Sequence, residues 1–331
     1  MLTPRENLQK MLDGEQTERL VNGYEPFDFV LTDPLIAKYY LNCYIEGQDT
    51  LDPWGVTIRW KKGEHAGMPY VTEENKLIKD VTEWKEHFVK QNDVFPEEAW
   101  EAAKKQVAGM DRKNHFVTGI MVSGVFEKLH SFMGFEDTLM NFYLEPEAMH
   151  ELIDAVFEWK MAYAKEMIDH LDLDFMLYHD DLGAKDRPFF SNEIFEEFFK
   201  EGYEKLFGYM HERGVKILFH SDSYCETLVE DFVDCHIDIW QGALCTNNFE
   251  TIQNKVHGKL ICMGGIDSII DREDWTQEEI DKEVLRAIEA GVPYGAFIPC
   301  ITYGLKESIF PGVIEATMDA VERYNKEHFK Y

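Results

Sequence analysis

The sequence predicts a (β/α)8 TIM barrel made by one domain over residues 1–331, with an N-terminal insertion at 49–115 acting as a cap. Two observations carry this. Short apolar runs recur, and each passes straight into polar residues. The run at 215–219 leads into His220, Ser221, Asp222 and Ser223; the run at 175–178 leads into His179, Asp180 and Asp181. The runs at 259–263, 295–299 and 116–121 lead into Gly264, Gly265 and Asp267, into Cys300, and into Ser123 and Gly124. Between these runs lie segments of helical spacing. Strand–helix alternation of this kind marks a parallel sheet with its chemistry at the carboxyl ends. A strand count near eight favours a closed barrel over an open sheet.

In chain order, Thr3 caps a first helix, with Pro4 at its first position and Glu6 completing a capping box. Leu8, Met11 and Leu12 form its apolar side, and Gly14 stops it. Residues 25–32 read as the first strand, which Asp33 and Pro34 end while opening another helix. Within 49–115 the pattern is irregular. Residues 52–60 and 68–71 read as a hairpin, and helices open at 80–84 and at 95–100, the second running on to Val107. No low-complexity linker sets this region apart, so it reads as an insertion covering one mouth of the barrel.

From 115 onward strand and helix alternate. Strands are expected at 116–121, 174–178, 215–219, 237–240, 259–263 and 295–299. Helices are expected at 125–132, 146–171, 191–210, 226–232, 249–256, 276–290 and 312–327. Neither GxGxxG nor GxxxxGK[ST] occurs to indicate a nucleotide fold.

Composition narrows the function classes. The net charge of -30, from 33 basic against 63 acidic residues, argues against a nucleic-acid partner, which needs a basic footprint. It also disfavours polyanionic substrates and anionic membrane surfaces. The start of the chain lacks a basic segment followed by an apolar run, and no apolar stretch reaches the roughly 18 residues of a membrane helix. The cysteines at 43, 225, 235, 245, 262 and 300 form no CxxC pair and read as reduced thiols. The expectation is a soluble cytoplasmic enzyme.

His220 and Cys300, each directly after a strand, are good ligands for zinc. Asp222 shares the rim with His220, because side chains of an extended segment alternate with period two. The plainer alternative is a hydrogen-bonded rim histidine and a small buried thiol. Of the adjacent Asp180 and Asp181 only one can face a pocket. Asp267 follows glycines that allow close backbone approach. Among the aromatic residues, Trp54, Trp60, Tyr178, Tyr224, Trp240 and Tyr303 lie in or near rim segments. Most of these belong to the core, and the rest could wall a flat apolar substrate.

Taken together, several motifs resemble the uroporphyrinogen decarboxylase superfamily. They are residues 3–7 with 12–15, 52–56, 179–183, Ser191 opening a helix, 211–214, 219–222 and 264–267, in an order covering nearly the whole chain. The resemblance implies a (β/α)8 barrel with its site at the carboxyl rim. True decarboxylases of this kind open with an Arg-rich segment that holds porphyrinogen carboxylates; here Asp33, Pro34, Leu35, Ile36, Ala37 and Lys38 stand there instead. The other branch, the cobalamin-dependent methyltransferases, binds zinc through a His-x-Cys pair and a later Cys. His220 and Cys300 match, while Asp222 replaces the middle Cys; Cys225 and Asp181 are the substitutes at hand.

A carboxylate in place of a thiolate makes zinc harder and more Lewis-acidic, which suits cleavage of a methyl ether. The resemblance therefore implies an ether-cleaving methyltransferase of an O-demethylase system. Its zinc would be held by His220, Asp222 and Cys300, with Asp181 and Asp267 as supporting catalytic residues. Its partner would be a corrinoid-binding protein whose Co(I) takes the methyl group from a small, methylated aromatic substrate. The alternatives are a decarboxylase-like lyase, or methyl transfer from a methyl-corrinoid to a thiol or tetrahydrofolate.

Overall fold

The computed structural model describes residues 2–64, 66–302 and 309–329. Its strands, in chain order, are β1 (Phe27–Phe29), β2 (Gln48–Leu51), β3 (Thr57–Trp60), β4 (Met68–Pro69), β5 (Phe116–Met121), β6 (Phe175–His179), β7 (Lys216–Ser223), β8 (Ile239–Ala243), β9 (Ile261–Ile266) and β10 (Phe297–Ile301). Seven of them form one parallel sheet in the order β1-β5-β6-β7-β8-β9-β10. The sheet is curled. Phe27, Phe116, Phe175, Leu218, Ile239, Ile261, Met263, Ile298 and Cys300, drawn from all seven strands, meet in a single apolar cluster. Only a sheet rolled until its first and last strands face one another brings those residues together, and this is a TIM-barrel-like arrangement.

An eighth paired strand is not formed among the described residues. The segment 20–24 takes that place as an irregular stave. Val21 joins the interior cluster, and a Cβ on Gly23 would lie 3.7 Å from Cys300 Sγ and 3.9 Å from the Pro299 carbonyl oxygen. The buried Asn325 side chain ties the stave down. It accepts the Leu20 N–H at 2.9 Å and donates to the Leu20 carbonyl at 3.1 Å, which does the work of a missing ladder partner.

Alternate strand residues face outward under the helices. Tyr178 and Phe219 stack at 6.0 Å, and Phe219, Phe232 and Trp240 continue that layer. Strands β2, β3 and β4 form a separate antiparallel sheet. It shares its core with the barrel's helices: Trp54 meets Trp159 edge-on at 4.5 Å, and Asp52 pairs with Lys128 at 3.1 Å, both buried. Among the described residues no helix is long and apolar enough to cross a membrane.

Two details depart from the sequence reading. A helix at Phe135–Leu144 was not expected. Gly134, read as a stop, adopts φ +91° and ends one helix while starting the next. Strands β7 and β9 also run on through polar or glycine residues, to Ser223 and Ile266.

The first strand is shorter than the 25–32 expected, stopping at Phe29, but Asp33 caps the next helix as read: its Oδ1 accepts from Leu35 N at 3.0 Å and Ile36 N at 2.8 Å. Its Oδ2 is buried without a partner among the described residues, and burial raises its carboxyl to about 6 against the backbone donors that oppose it. A raised carboxyl contributes stability that is present below its unfolded value and lost as pH rises through the folded one. Asp33→Asn keeps the capping oxygen and removes that titration. The variant is expected to gain on wild type by on the order of 2 kcal/mol between pH 4 and pH 7. Urea melts at the two pH values check it; a gap that does not change with pH refutes the assignment.

Candidate metal centre at the carboxyl rim

Register places the site. His179 of β6 is the ladder partner of His220 of β7, which is the partner of Gln241 of β8. Their outward neighbours Tyr178, Phe219 and Trp240 belong to the buried outer layer, so period-two alternation turns the His-His-Gln row inward. The two imidazoles stack in parallel, 4.3 Å between centroids and 10° between planes.

Each ring is fixed through Nδ1. In His179, Nδ1 donates to Glu127 Oε2 at 2.9 Å. In His220, Nδ1 bonds the Gln241 Oε1, and that amide is oriented by its own Nε2 donating to the Thr302 carbonyl at 2.9 Å. Nε2 is therefore the ring nitrogen left available on both. His220 Nε2 lies 3.6 Å from Asp181 Oδ1, an oxygen that also accepts the Asp222 N–H at 2.8 Å. His179, Asp181 and His220 each offer a ligand atom, and these atoms all lie within 4.8 Å of one another. Two imidazoles and one carboxylate are a donor set that fits zinc with a position left open.

The charges are arranged around this cluster. Burial disfavours the imidazolium of His179, but Glu127, Asp181 and Asp180 more than offset it and raise the ring to about 10. His220 is lowered, first by burial and then by the charge of His179. Burial pushes Glu127 up, yet His179 and then His130 hold it down at about 2.

The adjacent acids separate as an extended chain requires. Asp181 faces the histidines. Asp180 turns into the wall, accepting from Phe126 N at 3.0 Å, Glu127 N at 2.9 Å and the Tyr203 hydroxyl. Burial, with the Glu127 charge behind it, raises Asp180 to about 7.

The other expected residues lie around this cluster without joining it. Asp222, two residues beyond His220, is raised to about 6 by burial, and its Oδ1 has no partner among the described residues. Cys300 sits in the barrel interior with its thiol on the Ile301 carbonyl at 2.9 Å, and burial pushes it well up. Cys225 lies behind β7 against Ser223 Oγ at 3.1 Å, its thiol raised to about 12 by burial. Asp267 caps Ile269 N at 3.0 Å and accepts from Cys245 Sγ at 3.1 Å. Trp54, Tyr178 and Trp240 are core residues, while Tyr303 lies outside the described residues.

Sequence reasoning did not select His179, Glu127 or Gln241. The signal for His179 was present: like His220 it follows directly on an apolar strand run. Gln241 carried none, because a polar residue after Trp240 read as the end of the strand.

A family profile described as Uroporphyrinogen decarboxylase (URO-D) matches residues 50–324. No curated protein sequence matches the chain. A solved structure described as a methyltransferase from Methanosarcina mazei is similar at a TM-score of 0.69 and 13% identity, covering 98% of this chain and 99% of that one. At that identity the likeness is one of fold.

Proposed function

The chain belongs to the uroporphyrinogen decarboxylase (URO-D) family, and from that premise we propose that it is a zinc-dependent methyltransferase. It would move a methyl group from a methylated small molecule, an aryl methyl ether, to the Co(I) corrinoid of a partner protein. The observation that carries this reading is the cluster of His179, Asp181 and His220. The fold shared with a structure described as a methyltransferase supports the reaction class.

A zinc ion bound there would supply Lewis acidity toward the ether oxygen. The methyl group leaves without the bonding electron pair, which stays on oxygen, so the chain need not provide a general base. His179 and His220 hold their Nε2 atoms ready through Glu127 and Gln241. Asp222, with its unpartnered Oδ1, and Cys300 form with His220 the other ligand set worth testing. Asp267 supports the rim from beside β9, and residues 49–115 serve as the cover.

The test begins with zinc content after purification without chelator. It continues with methyl transfer to a reduced corrinoid carrier from a panel of methyl ethers. A proton count adds a sharper check. His179 is raised to about 10, so at neutral pH it must lose a proton to become a ligand, whereas the lowered His220 need not. Zinc binding at pH 7.5 is expected to release about one proton, and apparent affinity to rise with pH toward 10. Calorimetry in buffers of different ionisation heat reads this directly; binding with no proton release removes His179 from the ligand set.

The raised His179 also favours a second reading, in which its imidazolium, paired with Glu127, acts as the acid of a metal-free decarboxylase-like lyase. A metal-free protein that releases carbon dioxide from a porphyrinogen would establish that reading in place of the first.

A further inference from the structure

We propose that Glu127 is a positioning residue for His179, and that Asp180 sets its place by holding the helix end from which it projects; this rests on the metal-centre reading above. Glu127 comes from the helix Val125–Met133, which follows β5, whereas His179 ends β6. Nothing in the sheet ladder fixes the rotation of the His179 ring. The 2.9 Å bond from Nδ1 to Glu127 Oε2 does so, and it assigns Nε2 to the ligand role. That same oxygen accepts the Gly124 N–H at 3.2 Å, so the carboxylate is clamped from two sides. Its side chain is only 16% exposed.

The helix end is in turn seated on Asp180. The Phe126 and Glu127 N–H groups, left open at a helix start, both donate to its carboxylate, which the Tyr203 hydroxyl holds from behind. The fit is close: a Cβ at Gly124 would lie 2.0 Å from Asp180 Cγ. At the far side of the same turn Lys128 is anchored to Asp52 at 3.1 Å. The chain of contacts therefore runs from Tyr203 through Asp180 and the helix N-terminus to Glu127 and His179. A carboxylate on the far nitrogen of a ligand histidine fixes tautomer and orientation and raises the basicity of the ring.

The experiment compares wild type, Glu127→Ala and Glu127→Gln. The first readout needs no metal: a downfield, exchange-protected imidazole Nδ1 proton of His179 in the nitrogen-15 spectrum of the apo protein. The second is zinc affinity, with the visible spectrum of the cobalt(II)-substituted protein. Glu127→Ala is expected to lose the protected proton, to bind zinc about 10–100-fold more weakly and to alter the cobalt spectrum. Glu127→Gln retains an acceptor oxygen and is expected to fall between, weaker by about tenfold. A Glu127→Ala protein that keeps the protected proton, or binds both metals as wild type does, overturns the proposal. If that variant does not fold, a Glu127→Gln affinity equal to wild type overturns it. If wild type binds no metal, the metal-centre reading fails by itself. The proton alone then decides the positioning role: lost in Glu127→Ala, the role stands; retained, it falls.

Discussion

Replacing His220 by alanine is expected to abolish tight zinc binding and methyl transfer together while leaving the barrel folded. His220 is the one residue common to both candidate ligand sets: His179 and Asp181 on one side, Asp222 and Cys300 on the other. Losing a supporting partner of a ligand costs 10–100-fold in affinity, so losing the ligand itself is expected to cost more than about 100-fold. The fold should tolerate the change. Among the described residues the ring stacks on His179, and its removal leaves Gln241 Oε1 without a donor, a loss of about 1 kcal/mol. In a chain of this size that shifts the melting temperature by less than about 4 °C.

Cys300→Ala then separates the two sets. Zinc retained in that variant assigns the ion to His179, Asp181 and His220; zinc lost assigns it to His220, Asp222 and Cys300. Metal analysis after gel filtration, beside a thermal melt, reads both variants. A His220→Ala protein with wild-type zinc content and methyl transfer would exclude this rim as the site.

The strand positions were legible because five of the seven paired strands fall on apolar runs that end on polar residues, while β1 lies within, and β8 overlaps, the strands expected at 25–32 and 237–240. The alternation of an extended chain was enough to separate Asp180 from Asp181. What the sequence could not supply was register. His179 meets His220 because β6 and β7 pair with those two residues opposite, and the pairing of distant segments is not written in either segment. Gln241 was missed for a related reason: β8 continues inward through a polar residue, where the rule of apolar strands ends it. The stave at 20–24 has no strand pattern, since its backbone is held by the Asn325 side chain from the end of the chain. Glu127 was visible only as one residue of the helix expected at 125–132, with no hint that Asp180 would seat that helix beneath His179.

The alignment of His220 and Asp222 depends on a glycine outside the ligand sets. Between β7 and β8 the register shifts, from His220 opposite Gln241 to Ser223 opposite Ala243, so the extra residue on β7 is absorbed at Gly242. Such a bulge bends the strand and re-aims the side chains beside it. Gly242 has φ +106°, and a Cβ there would lie 2.3 Å from the Ser221 carbonyl oxygen, 2.5 Å from its carbon and 2.7 Å from Asp222 N. These are backbone atoms of the segment joining His220 to Asp222, and the Trp240 indole N–H holds the same carbonyl at 3.0 Å. No side-chain rotation can relieve the contact. Gly242→Ala is expected to cost about 1–3 kcal/mol for the backbone conformation and a similar amount for the overpacking. That corresponds to a melting temperature lower by roughly 3–9 °C. Because any relief moves Ser221, zinc affinity should fall as well. Gly258→Ala supplies the comparison: its φ is +78°, and a Cβ there meets nothing within 4 Å. It should cost about 1 kcal/mol and leave zinc binding untouched. A Gly242→Ala protein that melts with Gly258→Ala and binds zinc like wild type would show that the bulge does not hold the rim in place.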